Sequence, residues 1–173
     1  MKWPDKNERE KFEIKGYIAA YSRLPEARQF QVDSKGDAPD YVVKDGATNE
    51  EFGVELTSVY LDDRSVPDVH KRNEERRAII PDDENTLDRY EKRLIAKIIE
   101  KVCKARKHYN TARPLILAIY INEYISIYLD RPELDSFVQR YEGVFDSMVP
   151  FSEVVFWNLN NEGVFRFRPD STS

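Results

Sequence analysis

The sequence has little of what several protein classes require. Among its 173 residues are one cysteine and two histidines, which excludes a disulfide framework and leaves too few ligands for a zinc cage. No apolar run approaches the roughly 20 residues of a membrane-spanning helix. The first residues are too polar for a secretion signal, so we expect a cytoplasmic protein without membrane contact. The length predicts a single domain over residues 1–173.

The sequence also lacks an excess of positive charge. Its net charge of −5 argues against a protein that coats nucleic acid through bulk electrostatics. Segment 37–63 nevertheless holds eight acidic residues and one basic residue, whereas segment 89–113 holds nine basic and two acidic residues. An acidic site beside a basic helix is typical of a metal enzyme that acts on a phosphate polymer. Two solvated faces of opposite charge are the alternative interpretation.

Hydrophobic periodicity predicts a mixed α/β protein, in which helices cover a mixed central sheet. The predicted helices are 5–24, 86–109 and 132–141, and the main predicted strands are 41–43, 52–60, 115–121, 154–159 and 163–168. We place Phe12 and Ile99 on the apolar stripes of the first two helices, and Cys103 beside the second stripe as a buried side chain.

Two acidic residues fall on the two strands of a predicted hairpin. Asp40 stands at the start of the first strand, and Glu55 lies inside the second strand between two apolar residues. A carboxylate next to a sheet core is costly unless a metal ion or another cation pairs with it. Because Mg²⁺ is usually held by one or two carboxylates plus water and phosphate oxygens, this pair is a candidate metal site. Asp40 as a turn cap and Glu55 as half of a cross-sheet ion pair are the alternatives.

The order of these features resembles the PD-(D/E)XK nuclease superfamily over residues 8–159. The resemblance rests on Pro-Asp at 39–40, Glu-Leu-Thr at 55–57, and the basic amphipathic helix and apolar strand that follow. It implies a restriction-endonuclease-like fold, in which α-helices flank a mixed central β-sheet. It also implies hydrolysis of phosphodiester bonds with magnesium, or with manganese in its place, and Asp40 and Glu55 as the metal ligands.

The sequence departs from the family pattern at one position. Where the family has a lysine two residues after the second acid, this sequence has Thr57, which can donate a hydrogen bond but carries no charge. Some members supply the lysine from a neighbouring helix, and Lys101 is the candidate here because it flanks the apolar stripe. The resemblance further implies a glutamate from the first helix, with Glu13 as first choice and Glu10 as second.

Under the same resemblance we expect nucleic acid as the partner, DNA rather than RNA. Four further bases of the long helix are predicted to hold flanking phosphates without reading sequence, namely Arg93, Lys97, Lys104 and Lys107. Segment 61–88 is the predicted place for substrate recognition, and a homodimer is an open alternative.

Two other functions stay open at this point. Thr57 favours a catalytically inactive member of the same fold that binds nucleic acid or a protein. An unrelated α/β interaction domain would place Asp40 and Glu55 far apart. Five aromatic residues in and around the later strands could form a stacking platform for bases. Aromatic side chains in such positions more often belong to the core, where we place these five: Tyr120, Tyr124, Tyr128, Phe156 and Trp157.

Overall fold

A computed structural model of the chain describes residues 5–60, 84–121, 123–126 and 129–169. The helices are α1 (Lys6–Tyr21), α2 (Glu84–His108), α3 (Glu123–Ser126), α4 (Arg131–Arg140) and α5 (Glu142–Phe145). The strands are β1 (Phe30–Lys35), β2 (Tyr41–Asp45), β3 (Glu51–Val59), β4 (Leu115–Ile121), β5 (Phe151–Leu159) and β6 (Gly163–Phe167). In these ranges no helix is both long and apolar enough to cross a bilayer.

The six strands form one mixed sheet in the order of the sequence, which confirms the predicted mixed α/β class. The outer pairs β1–β2, β2–β3 and β5–β6 are antiparallel, whereas β3–β4 and β4–β5 are parallel. Parallel neighbours require a crossover, and α2 supplies the crossover between β3 and β4. The uninterrupted apolar run of β4 is buried on both faces, as expected for a strand at the centre of such a sheet.

The sheet has a hydrophobic core on each face. On one face, alternate residues of β4 pack with α2, α4 and α5. On the other face, Ile116 and Ala118 pack with α1 and with apolar residues of β2 and β3. Because side chains alternate along a strand, each residue of β3 is assigned to the α1 side or the α2 side by its position.

Helix α1 begins where the sequence predicts, and its first turn explains why. The Asp5 carboxylate accepts a hydrogen bond from the Glu8 backbone N–H (2.8 Å), and the Glu8 carboxylate accepts one from the Asp5 backbone N–H (3.1 Å). This reciprocal capping box satisfies two backbone donors that the helix itself leaves unpaired.

Three side chains predicted on or beside apolar stripes are exposed instead, so those predictions were wrong. Phe12 is 71% exposed, Ile99 is 43% exposed, and Cys103 is exposed. At 100° per residue, Phe12 and Cys103 lie about 150° from the centre of the buried side of their helices, and Ile99 about 105°. The apolar stripe inferred from the sequence is broad enough to include these residues. Contact with a flat sheet buries a narrower part of the helix surface.

Strands β2 and β3 have different lengths, and this difference leaves one edge of β3 open. The register pairs Tyr41 with Val54 and Lys44 with Glu51. Strand β2 begins at Tyr41, opposite Val54, and so does not extend past that residue. Strand β3 continues for five more residues to Val59, paired only with β4 among the described strands. The edge of β3 beyond Val54 is available to side chains rather than to another strand.

The position of α1 over the sheet depends on Gly16. A Cβ atom at this position would lie 2.8 Å from two ring atoms of Trp157, which is 6% exposed in β5. We expect Gly16→Ala to lower the free energy of unfolding by about 1–3 kcal/mol, because the buried ring has to move, although alanine is the better helix former.

Urea unfolding measures this change. Gly143→Ala in α5 is the matched control, since no atom lies within 4 Å of a Cβ placed there, and we expect it to be neutral or slightly stabilising. Equal stability of the two variants would contradict the close packing of α1 on Trp157.

Candidate functional site

A polar cleft of about 310 Å³ lies at the open edge of β3, between α1 and α2. Helix α1 contributes one wall, α2 contributes the other, and residues of β3 and of the segment before β2 form the floor. The charged side chains of its lining are Lys6, Arg9, Glu10, Glu13, Asp37, Asp40, Glu55, Lys97, Lys101 and Lys104. Acidic and basic side chains thus meet in one place, although the sequence separates them into different segments.

Asp40 is held at this edge by a backbone hydrogen bond. Its Oδ2 accepts a hydrogen bond from the Leu56 N–H at 2.9 Å. That N–H belongs to the stretch of β3 that β2 leaves unpaired, so the carboxylate satisfies it in place of a strand. Pro39 is able to pack close to β3 because residue 53 is glycine, on which a Cβ would lie 2.7 Å from Pro39 Cγ. The residue before β2 is therefore located by both packing and hydrogen bonding.

Glu55 is almost completely buried and forms an ion pair with the long helix. Its side chain is 3% exposed, that of Lys101 is 13% exposed, and Lys101 Nζ lies 2.5 Å from Glu55 Oε1. The second oxygen, Oε2, is buried without a hydrogen-bond partner in the part of the chain that the structure describes. Lys101 thus reaches the sheet, and Glu55 pairs with the long helix rather than with a basic side chain across the sheet.

Asp40 and Glu55 interact electrostatically across the cleft. Burial first, and then the charge of Glu55, raise the pKa of Asp40 to about 6, against the opposing effects of the Leu56 N–H and the Lys101 ammonium. The two carboxylates therefore lie close enough to interact. An unrelated interaction domain was expected to place them far apart. At neutral pH one ammonium stands beside two adjacent carboxylates, which leaves an excess of negative charge.

Glu13 reaches the cleft from the opposite face of the sheet. The Ser58 hydroxyl donates a hydrogen bond to Glu13 Oε1 at 2.8 Å, and burial raises the pKa of the Glu13 carboxyl against this bond. Glu10 also lines the cleft, but Lys35 binds it at 2.7 Å and Lys6 at 3.4 Å. Of the two candidate glutamates, Glu10 is thus neutralised by lysines, whereas Glu13 is held by a hydroxyl group.

The remaining predicted residues divide into two groups. Thr57 lines the cleft and is 6% exposed, and Lys97 and Lys104 line its α2 wall. Arg93 and Lys107 are exposed on α2 but are not among the described lining residues. Of the predicted recognition segment 61–88, residues 61–83 lie outside the described ranges, and 84–88 form the start of α2.

Sequence reasoning missed several residues of the site. Ser58 and Arg9 carry no motif, and only their contacts or positions in the cleft distinguish them. Tyr109, 8% exposed, adjoins the buried pair: burial, followed by the neighbouring Glu55 carboxylate, raises the pKa of its phenol. Its only signal in the sequence is its position at the end of the predicted long helix.

The residues of the cleft could hold a hard divalent cation if other ligands completed its coordination. Among the described residues, no group of three or more histidine, cysteine, aspartate or glutamate side chains is arranged to hold a metal ion. Asp40 and Glu55 nevertheless match the one or two carboxylates that a protein usually contributes to a magnesium site, in which water and substrate phosphate supply the other ligands. Comparison of the chain with protein-family models, curated proteins and solved structures finds no match.

The raised pKa of Asp40 predicts that this carboxylate destabilises the metal-free protein at neutral pH. We expect Asp40→Asn, which keeps an oxygen acceptor for Leu56 N–H, to raise the free energy of unfolding at pH 7.5 by about 1–2 kcal/mol, since water still reaches part of the carboxylate. The gain should shrink as the pH falls through about 6 and vanish below 3.8, where the wild-type group is protonated in both the folded and the unfolded chain.

Denaturant unfolding in metal-free buffer at several pH values tests this expectation. Asp33→Asn is the matched control, because Asp33 is an exposed carboxylate 3.9 Å from Lys44 on the outer strands. The control should change stability by less than about 0.5 kcal/mol. A variant Asp40→Asn that is less stable than the wild type at neutral pH would show that the carboxylate is a purely structural group.

The buried ion pair leads to a second expectation. Lys101→Met removes the ammonium and leaves the Glu55 carboxylate buried and unpaired, so we expect a loss of about 3 kcal/mol at neutral pH. Adding Glu55→Gln should recover most of that loss, because the uncompensated charge disappears.

Thermal or urea unfolding of the single and double variants provides the measurement. Lys97→Met, one turn earlier on the same helix, removes only an exposed contact with Glu100 and should cost less than about 0.5 kcal/mol. Equal losses for Lys97→Met and Lys101→Met would mean that the Glu55 pair has no special energetic role.

Proposed function

We propose that the protein is a magnesium-dependent phosphodiester hydrolase with a restriction-endonuclease-like fold, that is, a nuclease that acts on DNA or RNA. One observation carries the proposal: Asp40, directly before β2, and Glu55, in β3, share a cleft with an ammonium group that comes from α2. Lys101 would thereby supply the charge that Thr57 lacks. The mixed sheet with α2 as the crossover after β3 is compatible with the proposed fold.

Under this proposal each charged group of the floor has a role that its contacts support. Asp40 and Glu55 would hold the ion, with manganese able to replace magnesium. When bound, the ion supplies a Lewis acid and lowers the pKa of water. Asp40 must lose its proton to bind a cation, so its pKa of about 6 predicts that metal binding weakens below that pH. Lys101, oriented by Glu55, would offset negative charge on the phosphate at the moment of reaction.

The walls of the cleft complete the proposed mechanism. Glu13, fixed by Ser58, would accept a hydrogen bond from the attacking water, and the Thr57 hydroxyl would help to position that water or the phosphate. Lys97 and Lys104 would hold neighbouring phosphates, which orients the polymer without reading its sequence.

A non-catalytic protein on the same scaffold is the second candidate. The 2.5 Å contact with Glu55 favours it, because an ammonium that already neutralises a buried carboxylate is less free to act on a phosphate. Thr57 favours it as well. Such a protein would bind nucleic acid or another protein without cleaving a bond.

Cleavage assays distinguish the two candidates. We expect the wild type with magnesium to cleave DNA or RNA, and Asp40→Asn and Glu55→Gln each to lower the rate at least about 100-fold, because charge stabilisation in the transition state is lost. Asp33→Asn, which removes an exposed carboxylate outside the cleft lining, should cleave like the wild type.

Calorimetric titration with manganese should show binding that both cleft variants lose. If Asp40→Asn and Glu55→Gln cleave as fast as Asp33→Asn, these carboxylates are not the catalytic ones. If the wild type binds nucleic acid but cleaves none with either metal, the non-catalytic candidate is correct.

A further inference from the structure

Lys101 is a cation that already acts on both candidate metal ligands. Its Nζ lies 2.5 Å from Glu55 Oε1. Burial and the Glu55 carboxylate raise the pKa of Asp40, and the charge of Lys101 acts against them. Lys97, one turn earlier on α2, is placed differently, because it pairs with Glu100 of its own helix at 3.1 Å. Lys101 is therefore the lysine of the α2 wall that neutralises the carboxylate pair.

A divalent cation and this ammonium compete for the same negative charge. Lys101 offsets one of the two carboxylate charges that an ion would use. Like charges repel in inverse proportion to their distance, and the repulsion is stronger at a site that is removed from water. The side chains of Glu55 and Lys101 are 3% and 13% exposed, so water screens this contact only in part. A bound ion therefore gains most when the ammonium has moved away from Glu55.

Of the two partners, Lys101 is the one that is able to move. Glu55 lies inside β3, opposite Leu117 of β4, so the sheet fixes its backbone. A lysine side chain has a flexible four-carbon stem and donors without a fixed direction. Lys101 also lines the cleft, whose volume of about 310 Å³ gives its ammonium another position without movement of α2.

We propose that Lys101 is a displaceable counter-ion, which holds Glu55 in the metal-free protein and leaves it when a divalent cation binds Asp40 and Glu55. This inference rests on the proposed function for the identity of the ligand, and it deepens that function by making the free lysine depend on metal. Once it has left Glu55, the ammonium is available to the substrate. The ion pair and the proposed catalytic role of Lys101 thus belong to two states of one cleft.

A phosphate oxygen is the substrate atom that the displaced ammonium would contact, because lysine binds phosphate as a point charge. The aromatic residues that the sequence offers as a platform for bases provide no such contact in the described chain. Phe156 is 0% exposed, Trp157 is 6% exposed, and Tyr120 packs against the core on the α1 side. The side chains of Tyr124 and Tyr128 lie outside the described part of the chain.

Calorimetric titration with manganese, without nucleic acid and at pH 7.5, tests the proposal. We expect Lys101→Met to bind manganese about 10- to 100-fold more tightly than the wild type, because the charge left unpaired on Glu55 becomes available to the ion. Lys101→Arg should bind manganese more weakly than the wild type. A guanidinium holds a carboxylate through two parallel hydrogen bonds and is harder to displace than an ammonium.

Lys104→Met is the matched control, since it removes the same charge from the same wall of the cleft. It should change the manganese affinity by less than about threefold, because Lys104 forms no ion pair with a described residue and solvent screens its charge. Equal gains in Lys101→Met and Lys104→Met would reduce the effect to general charge and overturn the proposal. Unchanged or weaker manganese binding in Lys101→Met would overturn it as well.

NMR of the lysine nitrogens in the wild type provides a test that needs no destabilised variant. The Lys101 signal is the one that disappears in Lys101→Arg. Magnesium should shift this signal toward that of a solvent-exposed lysine and should leave the Lys97 signal in place, because Lys97 pairs with Glu100. A Lys101 signal that does not respond to magnesium would show a permanent ion pair, and the proposal would be wrong.

The outcomes for this inference and for the proposed nuclease are separable, because metal binding is measured without a substrate. A wild type that cleaves with magnesium, together with a Lys101→Met variant that gains no manganese affinity, would reject only the displacement of Lys101. Tighter manganese binding by Lys101→Met in a protein that never cleaves nucleic acid would reject only the hydrolase. Absence of manganese binding in both the wild type and Lys101→Met would reject the displacement outright.

Discussion

The difference in length between β2 and β3 is the constraint on which the cleft depends. Because β2 begins opposite Val54 and does not extend past it, the Leu56 N–H has no strand partner on that edge. A buried backbone donor of this kind must be satisfied by another group. The Asp40 carboxylate satisfies it at 2.9 Å. A negative charge is thereby held beside the buried Glu55, in a place where burial and like charge both oppose it. The open edge also lets α1 and α2, which pack on opposite faces of the sheet, contribute side chains to the same cleft.

The charges of the cleft oppose the stability of the fold, and this opposition is typical of functional sites. Two neighbouring carboxylates share one ammonium, and one buried carboxylate oxygen has no partner within the described residues. Apolar side chains at the same positions would pack without such a cost. Elsewhere, the buried Glu153 is better compensated, because Tyr21, Arg28 and Arg168 contact it. The buried Glu91 resembles Glu55, since it has one ion pair, with Arg140, and one oxygen without a partner among the described residues. Glu55 differs from Glu91 in its place beside Asp40 in the cleft.

Much of the fold was predictable because local patterns agree with the tertiary packing. The apolar run of β4, the long α2 and the alternation in β3 each predict the element that forms, and the capping box marks the start of α1. Predictions of buried side chains failed at the margins of the apolar stripes, because only the part of each helix that contacts the sheet is buried. Phe12 shows this most clearly, since a residue assigned to an apolar stripe is instead 71% exposed.

The sequence by itself determined the order of the elements, the acidic and basic segments and the identity of Asp40, Glu55 and Lys101 as residues of interest, because periodicity and composition are local properties. Only the tertiary structure decided that Lys101 reaches Glu55, that Ser58 holds Glu13, and that Arg93 and Lys107 lie outside the described lining of the cleft. Those outcomes depend on the register of the hairpin and on how each helix is rotated over the sheet. Both are set by packing between residues distant in sequence, which no local pattern encodes.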